Sequence, residues 1–297
     1  MAIIDRMLAP GSTFQRRFFF LAKRFVAGET IETALAAVRE LNAAGMSASL
    51  DFLGEDVLER SAAEHIRDVY LSMLDAIHTS GLDTNVSVKL TALGLLVDED
   101  FALGNLTQIV ERAGANSDPF VRVDMEGSAV TQATLDVVER AFATHKNVGP
   151  VLQALLRRTP ADAERAIQLG ERVRLCKGAY KEPPEIAIPT MSAIRAAYLE
   201  SARALLTRGH YPAIATHDRR LIGAVKVFAK ENGIGPDRFE FQMLYGSRPE
   251  LQRSLVAEGW RLRIYVPFGT HWAGYFYRRV VERRENLLFA LSSVFSK

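Results

Sequence analysis

The chain has 297 residues, 48% of them hydrophobic and 24% charged, with 37 Lys and Arg against 35 Asp and Glu. The formal net charge of +2 gives no electrostatic footprint for nucleic acid, and the balance is that of an ordinary globular protein. Cys176 is the single cysteine, which excludes an internal disulfide and suits a reducing compartment.

Near the start, RRFFFLAKRF holds an apolar run only from Phe18 to Ala22, too short for a signal-peptide core or a membrane span. No later segment approaches spanning length, so the sequence predicts a soluble, cytoplasmic protein. TIETALAAVRELNAAG then shows helical periodicity, with Thr30 as N-cap and Gly45 as stop. After it, short apolar runs alternate with longer helical patterns. Strands are predicted at 47–53, 85–91, 120–126, 150–155, 172–177, 212–217, 238–244 and 261–267. Helices are predicted at 56–79, 99–113, 129–143, 160–169, 190–208, 218–231, 248–257 and 272–290. Regular strand–helix alternation argues for parallel strands with right-handed crossovers, and eight units can close into a (β/α)8 barrel. A doubly wound open sheet is the alternative. One domain is expected, with N-terminal helices over 1–46 and the barrel over 47–297.

Side chains alternate between the two faces of a strand. In NVSVKLT, Val86, Val88 and Leu90 oppose Ser87, Lys89 and Thr91; in FVRVDME, Val121, Val123 and Met125 oppose Arg122, Asp124 and Glu126. RFEFQML sets Phe239, Phe241 and Met243 against Glu240 and Gln242, and RLRIYVP sets Leu262, Ile264 and Val266 against Arg263 and Tyr265. If the apolar faces meet the helices, Asp51, Lys89, Asp124, Gln153, Arg174, Gln242 and Tyr265 converge inside the barrel. Burying them is costly unless they pair with one another or with a ligand. An internal ion-pair network is one reading. A polar ligand site at the C-terminal strand ends, where barrel enzymes work, is the other.

Neither GxGxxG after a strand nor GxxxxGK[ST] is present, and the histidines at 65, 78, 145, 210, 217 and 271 form no HExxH, so no metal site is expected. Asp124, Glu126 and Asp51 would allow a carboxylate-based hydrolase, but Lys89, Arg174, Arg278 and Arg279 bring positive charge that suits an anionic or electron-rich ligand better. In GYFYRRVVERRENLL, Tyr275, Arg278, Arg279 and Glu282 share one helical face. That face is either a solvated ion-pair surface or a guanidinium clamp for a carboxylate or phosphate. A binding protein that merely holds a small carboxylate there would also fit.

The segments SLDFLGE, VSVKLTALG, RVDMEG, VLQALL, RLCKGAYKE, ATHD, FEFQMLYG, YVPFG and the RR-VVE helix, in this order, resemble the proline dehydrogenase family along nearly the whole chain. The length resembles its stand-alone bacterial members. The resemblance implies a distorted (β/α)8 barrel with non-covalent FAD. It further implies oxidation of L-proline to Δ1-pyrroline-5-carboxylate, the first step of proline catabolism, with electrons passed to a membrane quinone. Peripheral contact with the inner face of the cell membrane would serve that last step. By the same resemblance, Arg278 and Arg279 clamp the substrate carboxylate with Lys89 as a third cation. Tyr265 and Tyr275 wall the proline ring, and Glu282 orients an arginine. A tyrosine at 265 points to proline rather than hydroxyproline. Asp124 and Arg174 match catalytic positions, Arg174 beside the flavin N5, with Asp124 interacting with Lys89 or positioning the substrate. Met125, Gln153, Lys177, Gly178, Ala179, Thr216 and His217 match FAD contacts, and Tyr180 closes one side of the cavity.

Overall fold

The computed structural model describes residues 22–276. Helix α1 (Ile31–Ala43) begins at a reciprocal capping box: the Thr33 backbone N–H donates to the Thr30 hydroxyl at 3.3 Å, and the Thr30 N–H donates to the Thr33 hydroxyl at 3.2 Å. Gly45, just past its end, has φ +76°, a left-handed turn that glycine adopts without a Cβ penalty.

The alternation then runs β1 (Ser47–Phe52), α2 (Arg60–Ser80), β2 (Thr84–Lys89), α3 (Glu99–Ala113), β3 (Val121–Asp124), α4 (Thr131–Thr144) and β4 (Val148–Gln153). It continues with α5 (Thr159–Leu169), β5 (Arg174–Cys176), α6 (Met191–Arg208), β6 (Ala213–Ala215), α7 (Arg219–Glu231), β7 (Glu240–Leu244), α8 (Pro249–Ala257) and β8 (Leu262–Phe268). Neighbouring strands pair in parallel, and β8 returns to β1 with Ile264 opposite Ala48, so the sheet is a closed eight-stranded barrel and not an open one. Residues 272–276 begin the last expected helix. Arg278, Arg279 and Glu282 lie outside the described residues.

Strand parity decides where the core sits. Leu50, Val86, Val88, Leu90, Val121, Val123, Phe239, Phe241, Met243, Leu262, Ile264 and Val266 are buried in one apolar cluster with the inner faces of the helices. Each such side chain contributes about 1.5–3 kcal/mol by leaving water. Two tyrosines in this layer spend their hydroxyls on strand backbone: Tyr70 donates to the Ser87 carbonyl at 2.7 Å, and Tyr198 to the Leu175 carbonyl at 3.1 Å.

Boundaries differ from expectation where the backbone leaves the ladder. β5 and β6 stop at Cys176 and Ala215, so Lys177, Thr216 and His217 stand in mouth loops and not in strands. β4 starts two residues earlier than the sequence suggests, because Val148 pairs with Val121 although Asn-Val-Gly-Pro reads as a turn. Gly149 has a packing reason: a Cβ there would lie 2.3 Å from the Arg172 carbonyl oxygen and 2.9 Å from the Phe120 ring.

The C-terminal mouth is bordered by a second apolar cluster. Ala22, Phe25 and Val26 pack with Leu53, Trp272, Ala273 and Tyr275, and Tyr265 and Phe276 lean against them. The strap is tied by Ala27 N–H to the Pro267 carbonyl at 2.9 Å and Gly269 N–H to the Gly28 carbonyl at 3.0 Å. Both ends of the described chain therefore meet beside Tyr265. Among the described residues, no helix is long and apolar enough to cross a membrane.

Candidate active site

Inside the barrel the polar faces converge and pair. Lys89, near the end of β2, donates to both carboxylate oxygens of Asp51 on β1, at 2.8 and 2.9 Å. Burial pushes the Asp51 carboxyl up, and alone it would push the Lys89 ammonium down. For Lys89 the contact with Asp51 and the nearby Asp124 charge outweigh burial, so its pKa lies above that of free lysine and it stays cationic.

Asp124, at the end of β3, is held from the other side. Arg174 Nη1 donates to its Oδ1 at 2.5 Å and the Tyr265 hydroxyl donates to its Oδ2 at 2.8 Å. The sequence leaves Asp124 either interacting with Lys89, its neighbour in strand register, or positioning the substrate; its charge does act on Lys89, but it makes no hydrogen bond to it. Instead Lys89 reaches Asp51 and Asp124 reaches across the barrel, so two cation–carboxylate pairs stand side by side. Burial, then the charges of Asp124 and Asp51, push the Tyr265 phenol well above its usual pKa, so it remains a donor. The Arg174 guanidinium also lies 5.4 Å from the Tyr265 ring centre, a cation–π contact. Tyr275, buried in the neighbouring apolar cluster, closes this side.

Glu126 is separate. It accepts from the Thr91 hydroxyl at 2.6 Å and the Thr91 N–H at 3.2 Å, and burial pushes its carboxyl up. Asp51, Asp124 and Glu126 thus each take a different hydrogen-bonding partner: Lys89, Arg174 with Tyr265, and Thr91.

The residues expected at a cofactor stand at the ends of β3, β4, β5 and β6. Gln153 donates to the Glu126 carbonyl at 2.9 Å. Lys177 sits 3.7 Å from Asp218, which also takes Arg195 Nε at 2.7 Å. Burial alone would raise the Asp218 carboxyl, but the Arg195 hydrogen bond, the Arg220 N–H and the Lys177 charge hold it below the usual range. His217 Nε2 accepts the Leu244 N–H at 2.8 Å, which places the proton of a neutral imidazole on Nδ1. Gly178 has φ +100°. Met125 and Thr216 are buried, whereas Ala179 is exposed. Tyr180 is partly buried on the loop that follows. Burial pushes the Cys176 thiol up to about 11, so it is no nucleophile at neutral pH.

Sequence reasoning assigned no role to several neighbours. Ser87 accepts from Arg174 Nη2 at 3.0 Å, and Gln242 accepts from Arg174 Nε at 2.5 Å. Strand parity had already placed both on the polar face; only their partners were not legible. Arg195 and Asp218 carried no such signal, because α6 and the loop after β6 meet only in the folded barrel.

A family model described as proline dehydrogenase matches residues 34–290. The chain belongs to the proline dehydrogenase family. It is 39% identical over 276 residues to proline dehydrogenase 2 of Bacillus subtilis, covering 93% of this chain and 91% of that one. It is 38% identical to the proline dehydrogenase of Deinococcus radiodurans, covering 94% and 92%. A solved structure of proline utilization A from Bdellovibrio bacteriovorus, inactivated by N-propargylglycine, superposes with a TM-score of 0.84 at 26% identity. That match covers 90% of this chain and 33% of the longer protein. The chain thus spans about nine-tenths of the length of these Bacillus and Deinococcus enzymes.

Proposed function

We propose that the protein is an FAD-dependent proline dehydrogenase that oxidises L-proline to Δ1-pyrroline-5-carboxylate and passes the electrons to a quinone. The observation that carries the reading is the pair of ion pairs at the barrel mouth, Lys89–Asp51 and Arg174–Asp124, with Tyr265 bridging to Asp124. In a chain of this family they form a charged floor beneath a site for a zwitterionic amino acid.

The residues present fit a non-covalent dinucleotide by the chemistry of their donors. Lys177, the Nδ1–H of His217 and the backbone at Gly178 lie together at the ends of β5 and β6, as two phosphates require. Gln153 and Thr216 are the neighbouring polar groups, Met125 supplies apolar surface, and Ala179 has no bulk to block a ring system. When bound, the flavin would take a hydride from proline C5 at its N5, and the substrate N–H proton would be lost to give the imine.

The chain's own contribution is placement and charge. Arg174 carries a fixed positive charge toward the flavin side, and Asp124 with Ser87 sets the plane of its guanidinium. Lys89 stays protonated and offers a cation to the substrate carboxylate. Arg278 and Arg279 supply the main clamp, with Glu282 orienting one of them. Tyr265 and Tyr275 exclude water and set the width of the proline slot, a tyrosine at 265 favouring proline over hydroxyproline. Holding the reacting carbon in line in this way can be worth several kcal/mol of barrier. Peripheral docking at the inner face of the cell membrane would bring the reduced enzyme to its quinone.

The test is the visible spectrum of the purified protein, anaerobically, before and after L-proline. A flavin spectrum that bleaches supports the reading. A flavin indifferent to proline rejects the substrate, and a protein that takes up no FAD on reconstitution rejects the cofactor.

A further inference from the structure

Arg174 is held on three sides. Nη1 and Nη2 donate to Asp124 and Ser87, while Nε donates downward to Gln242 Oε1 at 2.5 Å. Gln242 Nε2 then donates to Glu240 Oε1 at 2.5 Å, and the same oxygen accepts from Arg263 Nε at 2.9 Å. Arg263 is anchored at the N-terminal end of the barrel by the Ala48 carbonyl at 2.6 Å and by Asp118 at 2.9 Å. A continuous chain of hydrogen bonds thus runs from the barrel floor to the mouth.

The ends of that chain set what its middle must be. A guanidinium only donates and an ionised carboxylate only accepts, so the group between them must present an acceptor to Arg174 and a donor to Glu240. A glutamine amide does both at once. Methionine offers no donor and only a weak sulfur acceptor, and a carboxylate would face Glu240 with like charge. Gln242 is 4% exposed and Glu240 3%, so water does not substitute for either contact.

We infer that Gln242 is a positioning residue: its amide adapts the anionic floor to Arg174 and so holds that guanidinium in the orientation the reaction uses. The inference rests on the reading of Arg174 as the group that faces the flavin. Without the amide, a flexible side chain keeps only its two distal contacts at the mouth, where a bound ligand competes for them.

Gln242→Met keeps the volume, removes the donor to Glu240 and leaves Arg174 Nε only a weak sulfur acceptor. Flavin reduction by proline, followed by anaerobic stopped flow, is expected to slow about 10- to 100-fold, with FAD content unchanged and the Kd for proline moved less than about threefold. Reduction within about twofold of wild type, or equal effects on rate and Kd, would overturn the inference. Gln242→Glu tests polarity and decides the matter should the methionine variant not fold. Its protonated carboxyl accepts and donates as the amide does, whereas its ionised form repels Glu240. Arg174 on β5, Glu240 on β7, Arg263 on β8, and Asp124 and Arg122 on β3 are the charged groups around it. The reduction rate relative to wild type is expected to fall as pH rises from about 6 to about 9, and a flat ratio would overturn the inference. In the cofactor-free protein, the Arg174 Nε–H resonance, assigned by its absence in Arg174→Lys, should be narrow in wild type and exchange-broadened in Gln242→Met; an unchanged signal counts against the proposal. If proline leaves the wild-type flavin oxidised, the functional reading falls, while this last comparison still decides the role of Gln242.

Discussion

Arg263 at the floor of the barrel and Arg174 near its mouth each expose 7% of their side chain, yet they are held by different chemistry. Arg263 donates to two carboxylates, Glu240 and Asp118, and to a backbone carbonyl. Arg174 has one carboxylate, one amide and one hydroxyl, and that carboxylate is shared with Tyr265. Burial alone would lower the Arg263 pKa, but Glu240 and Asp118 raise it above the usual range, while burial and the surrounding arginines lower that of the adjacent Arg122. Arg122 rests on the Pro150 and Arg172 carbonyls and over the Phe120 ring. Equal burial therefore does not mean equal compensation. Arg263 is matched by carboxylates and works as structure, whereas Arg174 at the mouth is held largely by neutral groups, with field available to an electron-rich ligand.

The sharpest way to break that contrast is Arg263→Ala. It strands Glu240 without its cation and should cost about 3–5 kcal/mol in urea unfolding of the cofactor-free protein. A loss below about 1 kcal/mol would mean the floor is not an ion-pair scaffold.

Arg174→Ala should cost less stability, about 1–2 kcal/mol, because Asp124 keeps the Tyr265 hydroxyl. Flavin reduction should nevertheless slow about 100-fold or more. If Arg174→Ala destabilises as much as Arg263→Ala and leaves reduction intact, floor and mouth do not differ in kind.

A smaller effect should come from Glu171, which lines a cavity of about 290 Å³ between α4 and α5 together with Arg165 and Glu139. Its Oε1 is buried without a hydrogen-bond partner, and burial, then the Glu139 charge, push its carboxyl up to about 7. A folded pKa above the unfolded value gives stability that is present below about 4.5 and lost as pH rises through about 7. Glu171→Gln should remove that slope and gain on the order of 1 kcal/mol at about pH 8, after allowance for screening. Asp218 and Glu240, held below the usual carboxylate range, act in the opposite sense and only in more acid solution. Parallel pH–stability curves for wild type and variant between about pH 5 and 8 would refute the assignment.

Much of this was legible beforehand. Alternation within NVSVKLT, FVRVDME, RFEFQML and RLRIYVP separated the helix-facing residues from the interior ones, because side-chain direction has period two along a strand. The capping box at Thr30 and the stop at Gly45 were equally local. Strand ends were less so: whether Val148 and Gly149 join β4 depends on Val121 lying alongside, and Asn-Val-Gly-Pro cannot express that. Lys177, Thr216 and His217 read as strand because their composition resembles strand; only the closed barrel ends the ladder at Cys176 and Ala215.

By itself, the sequence determined eight strand–helix units, the two faces of each strand, and a set of charged residues destined for the interior. These are properties of neighbours along the chain. Which charges meet was decided by the tertiary structure. Strand register sets Lys89 beside Asp124 and Asp51 beside Ser87, yet Lys89 takes Asp51, and Asp124 is taken from across the barrel by Arg174. Closure brings strands distant in sequence within reach of one long side chain. Inside a low-dielectric interior, every charge must then find the partner that its geometry allows.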